Sequence, residues 1–393
     1  MLYLYAVYLA ALLVLFVAGV TEQRRHQAQL RRIPYRVHVN GIRGKSSTTR
    51  LCAGALRGAD LSVVAKTTGS AARFIRPDGT EEPVYRKFGI ANITEQIGIV
   101  RRAAAESPDV LVMECMAVQP TLQQASQDKI VQATIGVIGN VREDHLLEMG
   151  PTLDDVARSL ARTMPRHGVC VTAETERLDV LREEARRRSC RLVTVDPRSV
   201  TDEEMDGFRH FTFKENVALA LAVAAEIGVS RDEALSGMYE AAPDPGVLTV
   251  EEYRVEERHL RFANVFAAND PQSTVMNVEQ LVSSGAIRPP IFTLINCRPD
   301  RVDRNAQMGA IVPHLLSDKV FLIGHPVRAA REAIPSSWNG SVVDLGGLDR
   351  HPESIWRELV AHTDGEASVV AVGNIHGQGE MLLEHLEGLG GLR

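Results

Sequence analysis

Residues 36–50 read Arg-Val-His-Val-Asn-Gly-Ile-Arg-Gly-Lys-Ser-Ser-Thr-Thr-Arg, and no other segment constrains the chain as much. A β-branched run, Val37 to Val39, breaks into a glycine loop that ends in Gly44-Lys45-Ser46-Ser47, and a helical pattern follows. Glycines let backbone N–H groups close around phosphate oxygens, and the N-terminus of the following helix adds positive potential where the anion sits. Lys45 then reaches the β- and γ-phosphates, and the Ser46 hydroxyl is placed to ligate Mg²⁺. The commoner phosphate loop has a glycine where Val39 stands, so this is a shortened form, Gly41-x-x-Gly44-Lys45-Ser46-Ser47. The alternative is an ordinary strand–turn–helix corner. The Gly-Lys-Ser-Ser-Thr-Thr run directly after a strand favours a nucleotide site.

A chain of 393 residues is too long for one core, and two or three domains are expected. Hydrophobic content of 45% with 24% charged residues describes a folded globular protein. The net charge of −6 argues against a general nucleic-acid binder, which needs a basic face. Cys52, Cys115, Cys170, Cys190 and Cys297 are scattered singly. Without zinc or redox spacing they read as free thiols in a reducing compartment.

From Leu2 to Val20 there is no charged side chain, a run as long as a membrane-spanning helix needs. A secretory signal would carry a basic region before its apolar core, and none is present. Arg24, Arg25, Arg31 and Arg32 follow the run instead, which puts the body of the protein in the cytoplasm. The expectation is a single-pass transmembrane anchor over residues 1–22 and a basic juxtamembrane linker over 23–34, at the cell membrane.

Beyond that, β and α signals alternate. Strand-like runs lie at 36–39, 61–65, 110–114, 134–138, 169–172 and 192–195, with helical patterns such as 92–106 between them. Asn92 with Glu95, and Thr152 with Asp155, read as helix-opening caps. Such alternation predicts an α/β fold, a mostly parallel sheet covered by helices on both faces. Residues 198–213 look irregular, and 215–227 read as an alanine-rich helix. The Ala-Pro-Asp-Pro-Gly stretch at 242–246 is a breaker. It sets the boundary between a central domain, 35–245, and a smaller C-terminal α/β domain, 246–393. Strands are expected there at 260–266, 291–295, 320–323, 342–344 and 368–372.

Two further groups of polar residues stand where strands end. The strand at 110–114 closes on Glu114, and ligands in open parallel sheets bind at the C-terminal ends of strands. The next strand runs into Asn140, Asp144 and His145, with Glu143 between them. Mg²⁺ prefers oxygen ligands, so a histidine beside Glu114 is acceptable without being diagnostic.

The order Gly-x-x-Gly-Lys-Ser-Ser, strand-end glutamate, then Asn-x-x-x-Asp-His-x-x-x-x-Gly resembles the Mur ligases and folylpolyglutamate synthases. The segment Phe213-Lys214-Glu215-Asn216 is similar to their helix start that contacts nucleotide. The segment Ala267-Ala268-Asn269-Asp270-Pro271-Gln272-Ser273 is similar to the turn that opens their C-terminal domain. Within that superfamily the chain is similar throughout to the ligase subunit of poly-γ-glutamate (capsule) synthases, the CapB/PgsB type. Residues 40–47, 66–69, 86–95, 114–117 and 373–377 carry that likeness.

The resemblance implies a Mur-like ATPase domain and an ATP-dependent amide ligase using ATP and Mg²⁺. It activates a glutamate γ-carboxylate as an acyl phosphate and joins it to a glutamate amine. Lys45, Glu114 and His145 are the expected catalytic residues, and Ser46, Glu114 and His145 the expected metal ligands. Nucleotide binding is expected of Gly41, Arg43, Gly44, Lys45, Ser46, Ser47, Asn140, Asn216, Asn269, Asp270 and Arg301. The base for the acceptor amine stays open between Asp144 and Glu143. The chain departs from the superfamily in four places: no lysine stands in 155–165 to become the carbamylated metal ligand, Glu215 replaces a histidine, Asn269 replaces another, and Phe266 aligns with a usual aspartate.

A polyglutamate substrate is itself a polyanion, so local arginines must bind it. Arg43, Arg73, Arg76, Arg86 and Arg301 are the candidates, because guanidinium pairs bidentately with carboxylate. Implied partners are the growing poly-γ-glutamate chain, a small multi-pass membrane subunit and further export subunits, with homo-oligomerisation left open. Two rival readings are a membrane-anchored P-loop kinase and an ATP-switch regulator of export. The kinase is disfavoured by a tail, 384–393, without tyrosine.

Overall fold

The runs at 37–39, 110–113 and 135–138 are apolar at nearly every position, so both faces of each strand need cover. That is the condition of a parallel sheet between helix layers. The computed structural model describes all residues except 1, 69–71, 86–91, 209, 211, 245–247, 267, 269, 349 and 391–393. The chain divides into two compact units, Met1–Asp244 and Pro245–Arg393.

The first unit is built on strands β1 (Tyr35–Asn40), β2 (Val63–Lys66), β3 (Arg73–Ile75), β4 (Glu81–Pro83), β5 (Val110–Glu114), β6 (Ile135–Ile138), β7 (Val169–Thr172) and β8 (Arg191–Thr194). They form one sheet in the order β4-β3-β2-β5-β1-β6-β7-β8. The run from β2 to β8 is parallel, and β3 and β4 add an antiparallel edge. Val39 lies opposite Glu114 of β5 and Val137 of β6. The loop after β1, the Glu114 carboxylate and the turn after β6 therefore leave the sheet at one edge. The chain goes from β1 to its β5 side and only later to its β6 side, so this edge is a topological switch point.

Helix α2 (Lys45–Arg57) covers β1 and packs on the helix Arg231–Tyr239. That crossing is glycine-tight: a Cβ on Gly237 would stand 2.1 Å from the Gly54 carbonyl oxygen. Only glycine permits the contact. Strands β2 and β8 begin and end within two residues of the expected 61–65 and 192–195. Thr152 and Asp155 form the expected capping box, with Thr152 Oγ1 accepting from the Asp155 N–H at 3.2 Å.

Three local expectations are corrected. First, the stretch 23–34 is not a linker. Helix α1 runs without a break over Leu2–Leu30, and His26, Leu30 and Ile33 are buried in the first unit. Burying Leu30 and Ile33 is worth roughly 1.5–3 kcal/mol each, which favours packing over a free tether. Second, Asn92 and Glu95 do not cap a helix together. Helix α3 (Glu95–Ala105) starts later, Asn92 Oδ1 accepts from the Thr94 N–H at 3.0 Å, and Glu95 turns to Lys66 instead. Third, 198–213 is not irregular throughout. Thr201 and Glu204 form a capping box that opens a short helix, Asp202–Asp206.

The second unit carries β9 (Thr249–Val255), β10 (Arg258–Asn264), β11 (Ile291–Cys297), β12 (Lys319–Gly324), β13 (Ser341–Asp344) and β14 (Glu366–Gly373). Their order is β13-β12-β11-β14-β10-β9, parallel except for β9 against β10. Phe262, Leu294, Phe321 and Val369 lie in its core. Strands β3, β4 and β9 have no counterpart in the sequence reading. The first two are three residues long and β4 is Glu-Glu-Pro, a composition that carries no strand signal.

Candidate active site

The loop after β1 takes the path that its glycines allow. Gly41 has φ +142° and Gly44 φ +75°, backbone that L side chains rarely adopt. Gly44 is the N-cap of α2, so the first turn of that helix faces the loop. A Cβ on Gly44 would stand 3.0 Å from Asn216 Oδ1.

Lys45 is folded back over its own loop and donates from Nζ to the carbonyls of Gly41 at 2.9 Å and Ile42 at 3.2 Å. Burial lowers its pKa from the ordinary lysine value, and the Glu114 carboxylate is the chief opposing influence. A phosphate oxygen is a stronger acceptor for this ammonium than two neutral carbonyls.

Glu114 is buried at the end of β5, where its carboxylate accepts three hydrogen bonds. Ser46 Oγ donates to Oε2 at 2.8 Å, the Thr68 N–H to the same oxygen at 2.7 Å, and Thr68 Oγ1 to Oε1 at 2.5 Å. Thr68 follows β2, the strand beside β5. It was not among the expected site residues. The available signal was a Lys-Thr-Thr run at the C-terminal end of a parallel strand. Next to it, Lys66 is fully buried and pairs with Glu95 at 3.1 Å.

His145 lies across the loop, in a left-handed conformation with φ +53°. Its backbone N–H bonds Asp144 Oδ1 at 2.9 Å, and Asp144 Oδ2 accepts from Arg43 Nη2 at 3.0 Å. The ion pair thus clips the phosphate loop to the His145 turn. Asn140 grips the same loop, accepting from the Arg43 N–H at 3.0 Å and donating to the Arg43 carbonyl at 3.2 Å. It also donates to Glu215 at 3.1 Å, and burial raises the Glu215 pKa. Asn216 accepts from Thr48 Oγ1 at 3.1 Å, bracing α2 from below.

Lys45, Thr68, Glu114 and His145 line one cavity of about 300 Å³. A larger cavity of about 600 Å³ opens at the far end of α2, beside Arg50 and Arg57. There Arg50 is already neutralised by Glu81 and Asp244, so the convergent chemistry belongs to the smaller one. Cys115 also lines the smaller cavity, with its thiol pushed up to about 11 by burial.

The expected residues Gly41, Arg43, Gly44, Lys45, Ser46, Ser47, Glu114, Asn140 and His145 therefore share one sheet edge, with Asn216 beneath it. Asp270 and Arg301 belong to the second unit. Asp270 caps the helix Pro271–Ser283, accepting from the Ser273 N–H at 2.8 Å, and Arg301 precedes the helix Val302–Ala310. Asn269 and Arg86 lie outside the described residues. Arg76 is paired with Glu82 at 3.0 Å.

The donor set suits a hard cation. Thr68, Glu114 and His145 border the cavity, the Ser46 hydroxyl meets Glu114 beside it, and Mg²⁺ takes a few protein oxygens together with substrate phosphates. Among the described residues no three or more His, Cys, Asp or Glu side chains are grouped to hold a metal alone. The helix Leu153–Leu160 and the turn after it contribute neutral groups instead of a lysine. Asn40 Nδ2 reaches Gln123 Oε1 at 3.1 Å and Thr163 Oγ1 at 3.2 Å, and Gln123 reaches Ser159 at 3.2 Å.

Comparison with known proteins agrees with this geometry. Residues 39–232 match the Mur ligase middle domain, and residues 250–389 match the poly-gamma-glutamate synthase CapB C-terminal domain. Among solved structures, a bifunctional folylpolyglutamate synthase/dihydrofolate synthase from Yersinia pestis, complexed with AMPPNP and Mn ion, superposes with a TM-score of 0.69. It is 16% identical, and the match covers 93% of this chain and 92% of that one. A UDP-N-acetylmuramoylalanyl-D-glutamyl-2,6-diaminopimelate–D-alanyl-D-alanyl ligase from Acinetobacter baumannii gives 0.63 at 15% identity, covering 93% and 78%. The fold is thus that of the Mur ligases and folylpolyglutamate synthases.

Closer relatives narrow the class. The capsule biosynthesis protein CapB of Bacillus anthracis is 39% identical over 379 residues, covering 94% of this chain and 80% of that protein. The PGA synthase CapB of Bacillus subtilis (strain 168) is 37% identical over 380 residues, covering 95% of each. The chain belongs to the CapB family of poly-gamma-glutamate synthases.

Proposed function

We propose that this chain is the ATP-dependent amide ligase of a poly-γ-glutamate synthase. One observation carries the reading: Lys45, Ser46, Thr68, Glu114 and His145 meet at a single sheet edge, in a chain of this family.

The physical problem is to bring a carboxylate to an anionic triphosphate. Lys45 exchanges its two loop carbonyls for phosphate oxygens, and the N-terminus of α2 adds its potential to the same place. Mg²⁺, held by Ser46, Thr68, Glu114 and His145, would neutralise charge on the β- and γ-phosphates. A γ-carboxylate oxygen of glutamate attacks the γ-phosphorus and ADP leaves. The neutral amine of a second glutamate attacks the acyl carbon, and phosphate leaves as hydrogen phosphate with the proton that the nitrogen gives up. Arg43 and Asp144 hold the loop and the His145 turn together through both steps, so the charges stay where the transition state develops them.

The apolar run of α1 supports a single-pass anchor with the catalytic body in the cytoplasm. The 18-residue apolar window of α1 has a mean hydropathy of 2.3 and is entirely unburied. A growing anionic polymer must leave the cell, which fits a small multi-pass partner as its conduit.

Oxygen-18 in the glutamate γ-carboxylate tests the chemistry. The label should pass to inorganic phosphate in step with amide formation. ATP hydrolysis that ignores glutamate and leaves phosphate unlabelled would falsify the ligase reading. Removal of residues 2–20 should leave ATP binding and abolish polymer export.

A further inference from the structure

The C-terminal end of α1 and the turn after it carry a buried group and an exposed group of opposite chemistry. His26, Leu30 and Ile33, spaced by four and three residues, are buried. His26 and Leu30 share one side of α1, and Ile33 follows in the turn after it, where its N–H bonds the Leu30 carbonyl at 3.1 Å. His26 Nε2 bonds the Ile130 carbonyl at 2.8 Å, and Arg36 donates to the carbonyls of Leu30 at 3.3 Å and Ile33 at 2.6 Å. The helix end is therefore fastened into the fold.

Arg24 and Arg25 stand on the last turns of α1, and Arg31 and Arg32 form the turn that follows Leu30. All four are exposed. None of their guanidinium groups has an ion-pair or hydrogen-bond partner among the described residues. Glu22 is the only acid between Thr21 and Ile33. The fold thus holds four unneutralised cations within about two helical turns.

Their position along the helix says what they face. From Val20, where the apolar run ends, to His26 is about 9 Å of helix. One headgroup layer is roughly 5–8 Å deep. The folded body begins where that layer ends, without slack between them. With α1 inserted, Arg24 and Arg25 would fall at the headgroups, and Arg31 and Arg32, in the turn that ends the helix, within reach of the negative surface potential.

We infer that the face bearing Arg24, Arg25, Arg31 and Arg32 binds the anionic phospholipid headgroup surface and seats the first unit against it. The inference rests on insertion of α1 in the bilayer. A single apolar helix fixes depth; the arginine face adds a choice of lipid.

Full-length protein in nanodiscs of mixed phosphatidylcholine and phosphatidylglycerol tests this, by mass spectrometry of the lipids that co-purify. The wild type should enrich phosphatidylglycerol about fivefold. The R24Q/R25Q/R31Q/R32Q variant should fall to parity while still resisting carbonate extraction and binding ATP. No enrichment by the wild type, or equal enrichment by the variant, overturns the arginine face and leaves the anchor standing. Extraction of the wild type by carbonate overturns the anchor and the arginine face together. If the variant instead loses binding to soluble poly-γ-glutamate with its lipid enrichment intact, the face belongs to the polymer and the inference fails.

Discussion

The Ser46 hydroxyl donates to Glu114 Oε2 at 2.8 Å, joining the first turn of the phosphate-loop helix to the end of β5 across 68 residues of sequence. The Thr68 N–H shares that oxygen at 2.7 Å. One buried carboxylate thus gathers the ends of two neighbouring strands and the loop helix, and its two oxygens are presented by groups that a cation can replace.

Glu114→Gln keeps the shape of that junction and removes its charge. Turnover should fall by roughly 10²–10³-fold with folding preserved. ADP release and thermal unfolding measured side by side check it; turnover within threefold of wild type would remove Glu114 from the reaction.

Thr68 separates hydroxyl from bulk. Thr68→Val loses the donor to Glu114 Oε1 and should cost roughly 10–100-fold in metal-dependent turnover, whereas Thr68→Ser should stay close to wild type. Equal rates for the valine and serine variants would make Thr68 a packing residue only.

Lys45 gives a pH dependence. Burial lowers its pKa, and the protonated form is the one that meets phosphate. ATP affinity of the free enzyme should weaken as pH rises, beginning below the ordinary lysine range. Isothermal titration across alkaline pH decides; affinity that is flat until lysine in water would titrate contradicts it.

His38 is buried in β1, and its Nδ1 accepts from the Gln127 amide at 2.9 Å. Burial pulls its pKa to about 4 from 6.5. Between those values the unfolded chain binds a proton that the folded chain refuses. Stability is whole above the unfolded value and is lost as pH falls toward the folded one, roughly 3 kcal/mol over the window. His38→Gln should flatten the fall of Tm between about pH 7 and pH 4.5. The same slope in both proteins would place the titration elsewhere.

Gly237 and Gly98 form a contrasting pair. Alanine at Gly237 meets the Gly54 carbonyl at 2.1 Å and should cost about 1–3 kcal/mol or more. At Gly98, inside α3, nothing lies within 4 Å of the added methyl. There the substitution should stabilise by about 0.5–1 kcal/mol. Thermal unfolding of both variants tests the assignment, and a neutral Gly237→Ala would mean that the two helices part easily.

The loop at 41–47, the strand ending in Glu114 and the Thr152–Asp155 cap were legible because each is set by residues a few positions apart. Glycine fixes a turn and a β-branched run fixes a strand wherever they occur. The Asn92–Glu95 reading failed on the same ground. A local cap competes with a distant partner, and the buried Lys66 ammonium, which cannot be left unpaired, takes the Glu95 carboxylate. Thr68 escaped notice because its role exists only opposite Glu114.

By itself the sequence determined the alternating α/β order, the phosphate loop and an apolar N-terminal helix, all consequences of short-range pattern. Tertiary structure decided that α1 continues into the fold, that Thr68 joins Ser46 on Glu114, and that Asn140 and Asn216 brace the loop. Those outcomes depend on which buried polar and apolar groups find partners across the folded chain, and no local pattern carries that information.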